Sequence, residues 1–197
     1  MSAINRKAPA AYTRFAMLLH WLMAILIIGN VALGWAANYV ADDTVRPVID
    51  MHKSIGITVL GLAILRLLWR LANPPPPLPA FYPAIERRAA HVAHWVLYAL
   101  IFLLPLSGWA HDSAWQDAAT HPMFLFGLFR WPRLGFLQGF DPATQTWLHD
   151  LLGTLHFSFG YVLYALLAVH ILGALKHQFL DGDAEFQRIL PWGRRGR

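Results

Sequence analysis

The sequence contains no cysteine. That excludes disulfides, thiolate-held iron–sulfur clusters, covalent haem attachment through C-x-x-C-H, and thiol catalysis. Charge is scarce as well. Only 14% of the 197 residues are Asp, Glu, Lys or Arg, against about 25% in a soluble domain, too few to cover a soluble surface. What the chain has in quantity is apolar side chains, at 57%, and ten histidines. Histidine is therefore the residue left for redox or metal chemistry.

A helix needs roughly 20 apolar residues to cross a bilayer. Four segments qualify: about 17–39, 51–71, 90–110 and 151–179. The expected fold is all-α, an integral membrane four-helix bundle, with residues 1–197 forming one transmembrane domain. The run Asn73 to Pro79, "NPPPPLP", cannot be helical and separates the second span from the third. Pro105 sits late in the third and is expected to kink it. Gly34-Trp35-Ala36 offers a small-x-small cleavage pattern, but the apolar run before it is long for a signal peptide and carries His20 and Asn30. It is read as the first span.

Lysine and arginine set the orientation. With the N-terminus in the cytoplasm, the inner side holds Arg6, Lys7, Arg14, Arg66, Arg70, Arg87, Arg88, Lys176, Arg188, Arg194, Arg195 and Arg197. The outer side holds Arg46, Lys53, Arg130 and Arg133. Twelve against four predicts both termini cytoplasmic. The net charge of +5 thus reads as membrane topology, and no nucleic-acid partner is expected. Trp21, Trp69 and Trp95 fall near the inner interface, and Trp35, Trp109 and Trp147 near the outer one, as an aromatic belt requires.

This topology gives depths to the histidines. His156 and His170 stand fourteen residues apart in the fourth span. That is about 21 Å of rise and only about 40° short of four full turns, so they share a face, one in the outer half and one in the inner half. His20 lies near the inner start of the first span, and His52 near the outer start of the second. Ionisable residues inside a span face the bundle interior and find partners. Two level-matched pairs result: His20 with His170, and His52 with His156. Two stacked bis-histidine sites in a bundle core suit two b-type haems. A bare metal suits them less, because zinc and non-haem iron gather three or more protein ligands. A histidine bonded to a neighbouring carbonyl or serine is the plainer alternative for any one of them.

Other residues stay open at this level. His149, on nearly the face of His156 but about 31 Å from His170, is a reserve outer ligand. His94 competes with His20 at the inner level, or serves as a proton acceptor beside a quinone. His177 and Arg70 are further candidates for a quinone contact. Arg14 and Lys53 are candidates for haem propionates. Arg130, Arg133 and Lys53 would form a positive mouth that draws a small anion. The apolar stretch His121 to Phe136 is expected to lie as an interfacial lid over the outer end.

Several motifs occur together. His20-Trp21 opens the first span, "HKSIG" (His52 to Gly56) the second, and "RLLWRLANPPPPLP" closes it. "AHVAHWVLY" (Ala90 to Tyr98) opens the third, and "HILGALKHQF" (His170 to Phe179) ends the fourth. As a set they resemble the bacterial cytochrome b561 family over nearly the whole chain. The resemblance implies a multi-pass protein of the bacterial inner membrane with two b haems, in contact with lipid. His20, His52, His156 and His170 fall at the family's ligand positions. It also implies electron exchange with the quinone pool, and some members are credited with oxidising superoxide and passing the electron to ubiquinone. His149 and the local context "LHF" (Leu155 to Phe157) depart from the pattern and bear on the outer ligand. The alternative within the same design is a membrane anchor that conducts electrons between quinone and a partner redox subunit, a dehydrogenase or hydrogenase.

Overall fold

The computed structural model describes residues 11–78, 81–182 and 186–190. Arg6, Lys7, Pro79, Arg194, Arg195 and Arg197, used above, lie outside them. Four long helices dominate: α1 (Arg14–Ala36), α2 (Asp42–Ala72), α3 (Ala84–Ser113) and α4 (Pro142–Phe179). All four are long and apolar enough to cross a membrane. Large side chains such as Ile25 (68% exposed) and Leu172 (64%) are uncovered by the chain itself, which in water would be an aggregating surface and in lipid is the favourable one.

The ends of the helices follow from their sequence. Thr13 caps α1, its hydroxyl accepting from the Ala16 amide at 3.2 Å. Asp141 caps α4, accepting from the Ala143 and Thr144 amides at 3.1 Å each, and Pro142 opens the helix, where a missing N–H costs nothing. Asp42 and Asp43 complement the positive end of α2. At the far end of α2 the prolines that follow Asn73 stop the helix. α3 continues through Pro105, which leaves the Ile101 carbonyl without its usual amide donor. Three helices start well before the expected spans, α2 by nine residues, α3 by six and α4 by nine, because each begins with a polar turn ahead of the apolar run.

Neighbours in sequence pack together: α1 on α2, α2 on α3, α3 on α4. Met23, Val59 and Ala63 form a small core between α1 and α2. α1 and α4 meet through side chains, as in the bond from Trp35 Nε1 to the Tyr164 hydroxyl at 3.2 Å. The helices alternate in direction. Thr13, before α1, accepts from Trp69 near the end of α2. Glu86, at the start of α3, meets Lys176 at the end of α4. Trp21 donates to the Ile189 carbonyl of the C-terminal segment. These contacts define one end of the bundle, which carries Arg14, Arg66, Arg70, Arg87, Arg88, Lys176 and Arg188.

The opposite end is closed by residues 114–141. The lid holds more regular structure than an apolar interfacial stretch implies: short 3-10 turns at Gln116–Ala119 and Gly135–Leu137, and a hairpin of β1 (Phe124–Leu125) and β2 (Phe129–Arg130). Phe126 and Gly127 take positive φ, 53° and 71°, to turn it. Ser54 on α2, itself buried, anchors the hairpin by accepting from the Phe126 amide at 2.9 Å. Ser113 accepts from the Leu134 amide at 3.0 Å. Met123 and Leu137 are tucked inside.

Candidate functional site

Four of the ten histidines face each other in two pairs. The His52 and His156 rings have centroids 6.1 Å apart, and those of His20 and His170 lie 6.3 Å apart. A metal held between two imidazole nitrogens at about 2 Å from each puts the ring centroids about 6 Å apart, so both spacings leave room for one iron. His156 and His170 are fourteen residues apart on α4, so the pairs sit at two depths.

In the outer pair the ring orientation is fixed from behind. His52 Nδ1 lies 2.9 Å from the Asn30 carbonyl of α1. His156 Nδ1 lies 3.0 Å from the Leu104 carbonyl of α3 and 3.2 Å from the Ser107 hydroxyl. A carbonyl only accepts, so each Nδ1 carries the proton and each Nε2 keeps its lone pair. A histidine that ligates a metal is held in this way. Two glycines make the space. A Cβ at Gly108 would stand 3.0 Å from His156 Cε1, and one at Gly34 would stand 3.3 Å from His52 Cε1. These glycines seat imidazoles directly, a use not apparent from composition. Gly108→Ala is therefore expected to push His156 off its carbonyl and disturb the outer site more than Gly34→Ala does. Visible spectra of the two purified variants check this, and equal spectra would contradict it.

The outer pair opens onto a cavity of about 710 Å³ lined by all four helices, within the 300–1,000 Å³ typical of cofactor sites. Gly56, Gly160, Phe157, Tyr161 and Tyr164 line it as well. The Asn30 side-chain oxygen at its wall is buried without a hydrogen-bond partner, which leaves an acceptor for a donor inside. A cavity of this size, small and aromatic lining residues, and two imidazoles at iron-spanning distance fit a haem.

At the inner pair a third ring intervenes. His94 of α3 lies 5.6 Å from His170, centroid to centroid. Both inner-level candidates thus reach His170, with the His20 spacing nearer to that of the outer pair. Arg66 approaches His20, Nη2 to Nδ1, at 3.4 Å. That is longer than a good N–H hydrogen bond, so the contact brings charge without fixing the ring's tautomer. Arg66 also donates to the Ala16 carbonyl at 3.2 Å. A cavity of about 300 Å³ runs between Tyr12, Arg70, the proline loop and α3, and ends on His91 and His94. His20 and His170 line neither of these two cavities.

The remaining candidates take other positions. His149 borders the outer cavity, but its ring stacks on His111, with centroids 3.9 Å apart. The two histidines bond each other's backbone reciprocally, His111 Nδ1 to the His149 carbonyl at 2.9 Å and His149 Nδ1 to the His111 carbonyl at 3.0 Å. Gly153 leaves room for the His111 ring. Lys53 and Arg133 do not form a free positive mouth. Both hold Asp112, Lys53 Nζ at 2.7 Å and Arg133 Nε at 2.8 Å, and Lys53 also meets Asp50 at 3.3 Å. Arg46, one of the four outer basic residues but not part of the expected mouth, lines the outer cavity with its guanidinium 5.5 Å from the Trp115 ring centroid. Arg14 is exposed at the start of α1, where Arg66 rather than Arg14 touches the inner cluster. Arg70 lies over Tyr98, 5.1 Å from the ring centroid. His177 bonds Asp181 at 2.8 Å. Lys176 lies 2.9 Å from Asp181 and 3.3 Å from Glu86, and its hydrogen bond holds the Asp181 carboxyl below the usual carboxylate range.

Residues 11–192 match the family model for prokaryotic cytochrome b561. The chain is 35% identical over 185 residues to cytochrome b561 homolog 2 of Escherichia coli K12, covering 92% of each. It is 30% identical over 185 residues to the probable superoxide oxidase CybB of Yersinia pestis, covering 88% of this chain and 92% of that one. Identity to cytochrome b561 homolog 1 of Escherichia coli K12 is 25%, over 91% of this chain and 97% of the other. Membership implies b-type haem and electron transfer across a membrane, and the four spanning helices make the chain a multi-pass protein of the bacterial inner membrane. The facing imidazoles, the outer cavity and the match along nearly the whole chain lead to one assignment: this protein belongs to the prokaryotic cytochrome b561 family.

Proposed function

We propose that the chain holds two b haems, an outer one between His52 and His156 and an inner one between His20 and His170, and carries electrons from superoxide on the periplasmic side to ubiquinone. The observation that carries this is the pair of ring separations, 6.1 and 6.3 Å, at two depths of one bundle. Both termini are cytoplasmic in this reading. Among the described residues the end with the N-terminus has seven basic residues and the lid end four, Arg46, Lys53, Arg130 and Arg133.

Haem iron, when bound, supplies one-electron exchange. The chain's own residues do the rest. The Asn30 and Leu104 carbonyls orient the outer imidazoles, and the lid keeps bulk water from the outer end. Arg46 at the outer cavity favours a small anion, and the 30% identical relative named as a probable superoxide oxidase supports superoxide as that anion. The smaller cavity lined by Arg70 and His94 suits a quinone headgroup, with His94 next to His170 as its hydrogen-bonding partner. The overall reaction balances as two superoxide anions, one quinone and two protons giving two dioxygen molecules and one quinol.

The test is anaerobic mixing of the purified chain with superoxide, followed by oxidised ubiquinone. Haem absorbance is expected to rise to the reduced form and then fall as quinol appears. Haem that stays oxidised with superoxide but is reduced by a co-purifying dehydrogenase would overturn this reading in favour of an anchor subunit.

A further inference from the structure

We propose that Arg66 sets the direction of electron flow by making the inner site the stronger electron acceptor of the two. This rests on the two-haem reading above.

At the inner pair, Arg66 Nη2 lies 3.4 Å from His20 Nδ1, and both residues are half-buried at the inner end of the bundle. Its guanidinium and that of Arg70 lie 5.9 Å and 5.1 Å from the centroid of Tyr98. Among the described residues no carboxylate is within ion-pair distance of Arg66. At the outer pair the cations are cancelled. Lys53, next in sequence to His52, meets Asp112 at 2.7 Å and Asp50 at 3.3 Å, and Arg133 meets Asp112 at 2.8 Å. That is two cations on two carboxylates. Arg46 is the other basic residue lining the outer cavity, and it is exposed. It stands six residues, about 9 Å of helix rise, from His52 toward the water side, where solvent screens it.

An iron held by two neutral imidazoles carries one positive charge fewer when reduced. An unpaired cation beside its ligand therefore disfavours the oxidised form and raises the midpoint potential, and it does so more strongly where the dielectric is low. Arginine suits this task because it keeps its proton even when buried. With both haems bound, transfer of one electron from the outer site to the inner one would oxidise the first, reduce the second and need no proton, and the uncompensated Arg66 charge would make that transfer downhill. Arg66 touches a ligand and not the iron, so its role is positioning and tuning.

The experiment is an anaerobic spectroelectrochemical titration of the full-length, haem-loaded chain. His52→Ala retains the inner haem and His20→Ala the outer one, which assigns the two potentials. The inner haem is expected to be the more readily reduced by tenfold or more, which is 59 mV for a one-electron couple. Arg66→Gln is expected to lower the inner potential by about tenfold in the reduction equilibrium, about 59 mV, and to leave the outer one in place. Arg66→Lys is expected to retain most of the wild-type value. An inner potential below the outer one in the wild type would overturn the proposal, as would an Arg66→Gln chain with both haems and no drop. Should Arg66→Gln fail to hold the inner haem, the wild-type order and Arg66→Lys decide. A wild-type chain with fewer than two haems sinks the two-haem reading itself, and this inference with it.

Discussion

Replacing His156 with alanine is expected to remove one haem from the purified protein and leave the other, whereas replacing His149 is expected to leave both. The two residues are seven apart on α4 and both border the outer cavity, so sequence alone leaves either as the outer ligand. Their partners separate them. His156 faces His52 across 6.1 Å, with its Nδ1 set on the Leu104 carbonyl. His149 is stacked flat on His111 in a reciprocal clasp. Losing His156 removes one of two iron ligands, and a five-coordinate remnant would lose haem readily. Losing His149 removes a bond between α3 and α4 and leaves the His111 Nδ1 bond intact, because that one goes to backbone. Haem content by pyridine haemochrome, normalised to protein, separates the cases: one haem for His156→Ala and two for His149→Ala. The opposite pattern would move the outer ligand seven residues up the helix.

The second large effect is on stability. Asp112→Ala is expected to cost about 3 kcal/mol, at the low end of the range for removing one partner from a buried ion pair. The carboxylate is 10% exposed and sits between Lys53, 17% exposed, and Arg133, 8% exposed. Its loss leaves two cations facing one another at the junction of α2, α3 and the lid. Arg133 keeps its bonds to the Ala118 and His121 carbonyls, and Lys53 keeps Asp50, which is why the low end applies. For a chain of this size that corresponds to a fall in melting temperature of roughly 6–12 °C. Asp112→Asn, which keeps the shape and part of the hydrogen bonding, is expected to fall between. Thermal unfolding in detergent reads this directly, and an unchanged midpoint would show that Asp112 does not tie the outer end together.

The four spans, and the closeness of the His20 ring to His170 and of the His52 ring to His156, were legible because they depend on simple quantities: run length, the bias of Lys and Arg, and the helical rise between His156 and His170. None needs knowledge of packing. The starts of α2, α3 and α4 were missed because their first turns are polar, although Asp141-Pro142 is a readable cap. The His111–His149 clasp was not legible. It depends on the register of α3 against α4, which no local pattern encodes. The same holds for Asp112, whose partners come from α2 and from the lid twenty-one residues on. Gly108 looks like any membrane-helix glycine until the His156 ring is seen against it. In the sequence Arg66 is one of twelve inner-side basic residues, and its approach to His20 depends on how α1 packs against α2.

The most direct test of the whole account is the number of haems bound per chain in the purified wild-type protein. Iron gripped at two heights by two imidazole pairs predicts two, falling to none when His52 and His20 are both replaced by alanine. A single haem in the wild type, or haem surviving that double replacement, would contradict it.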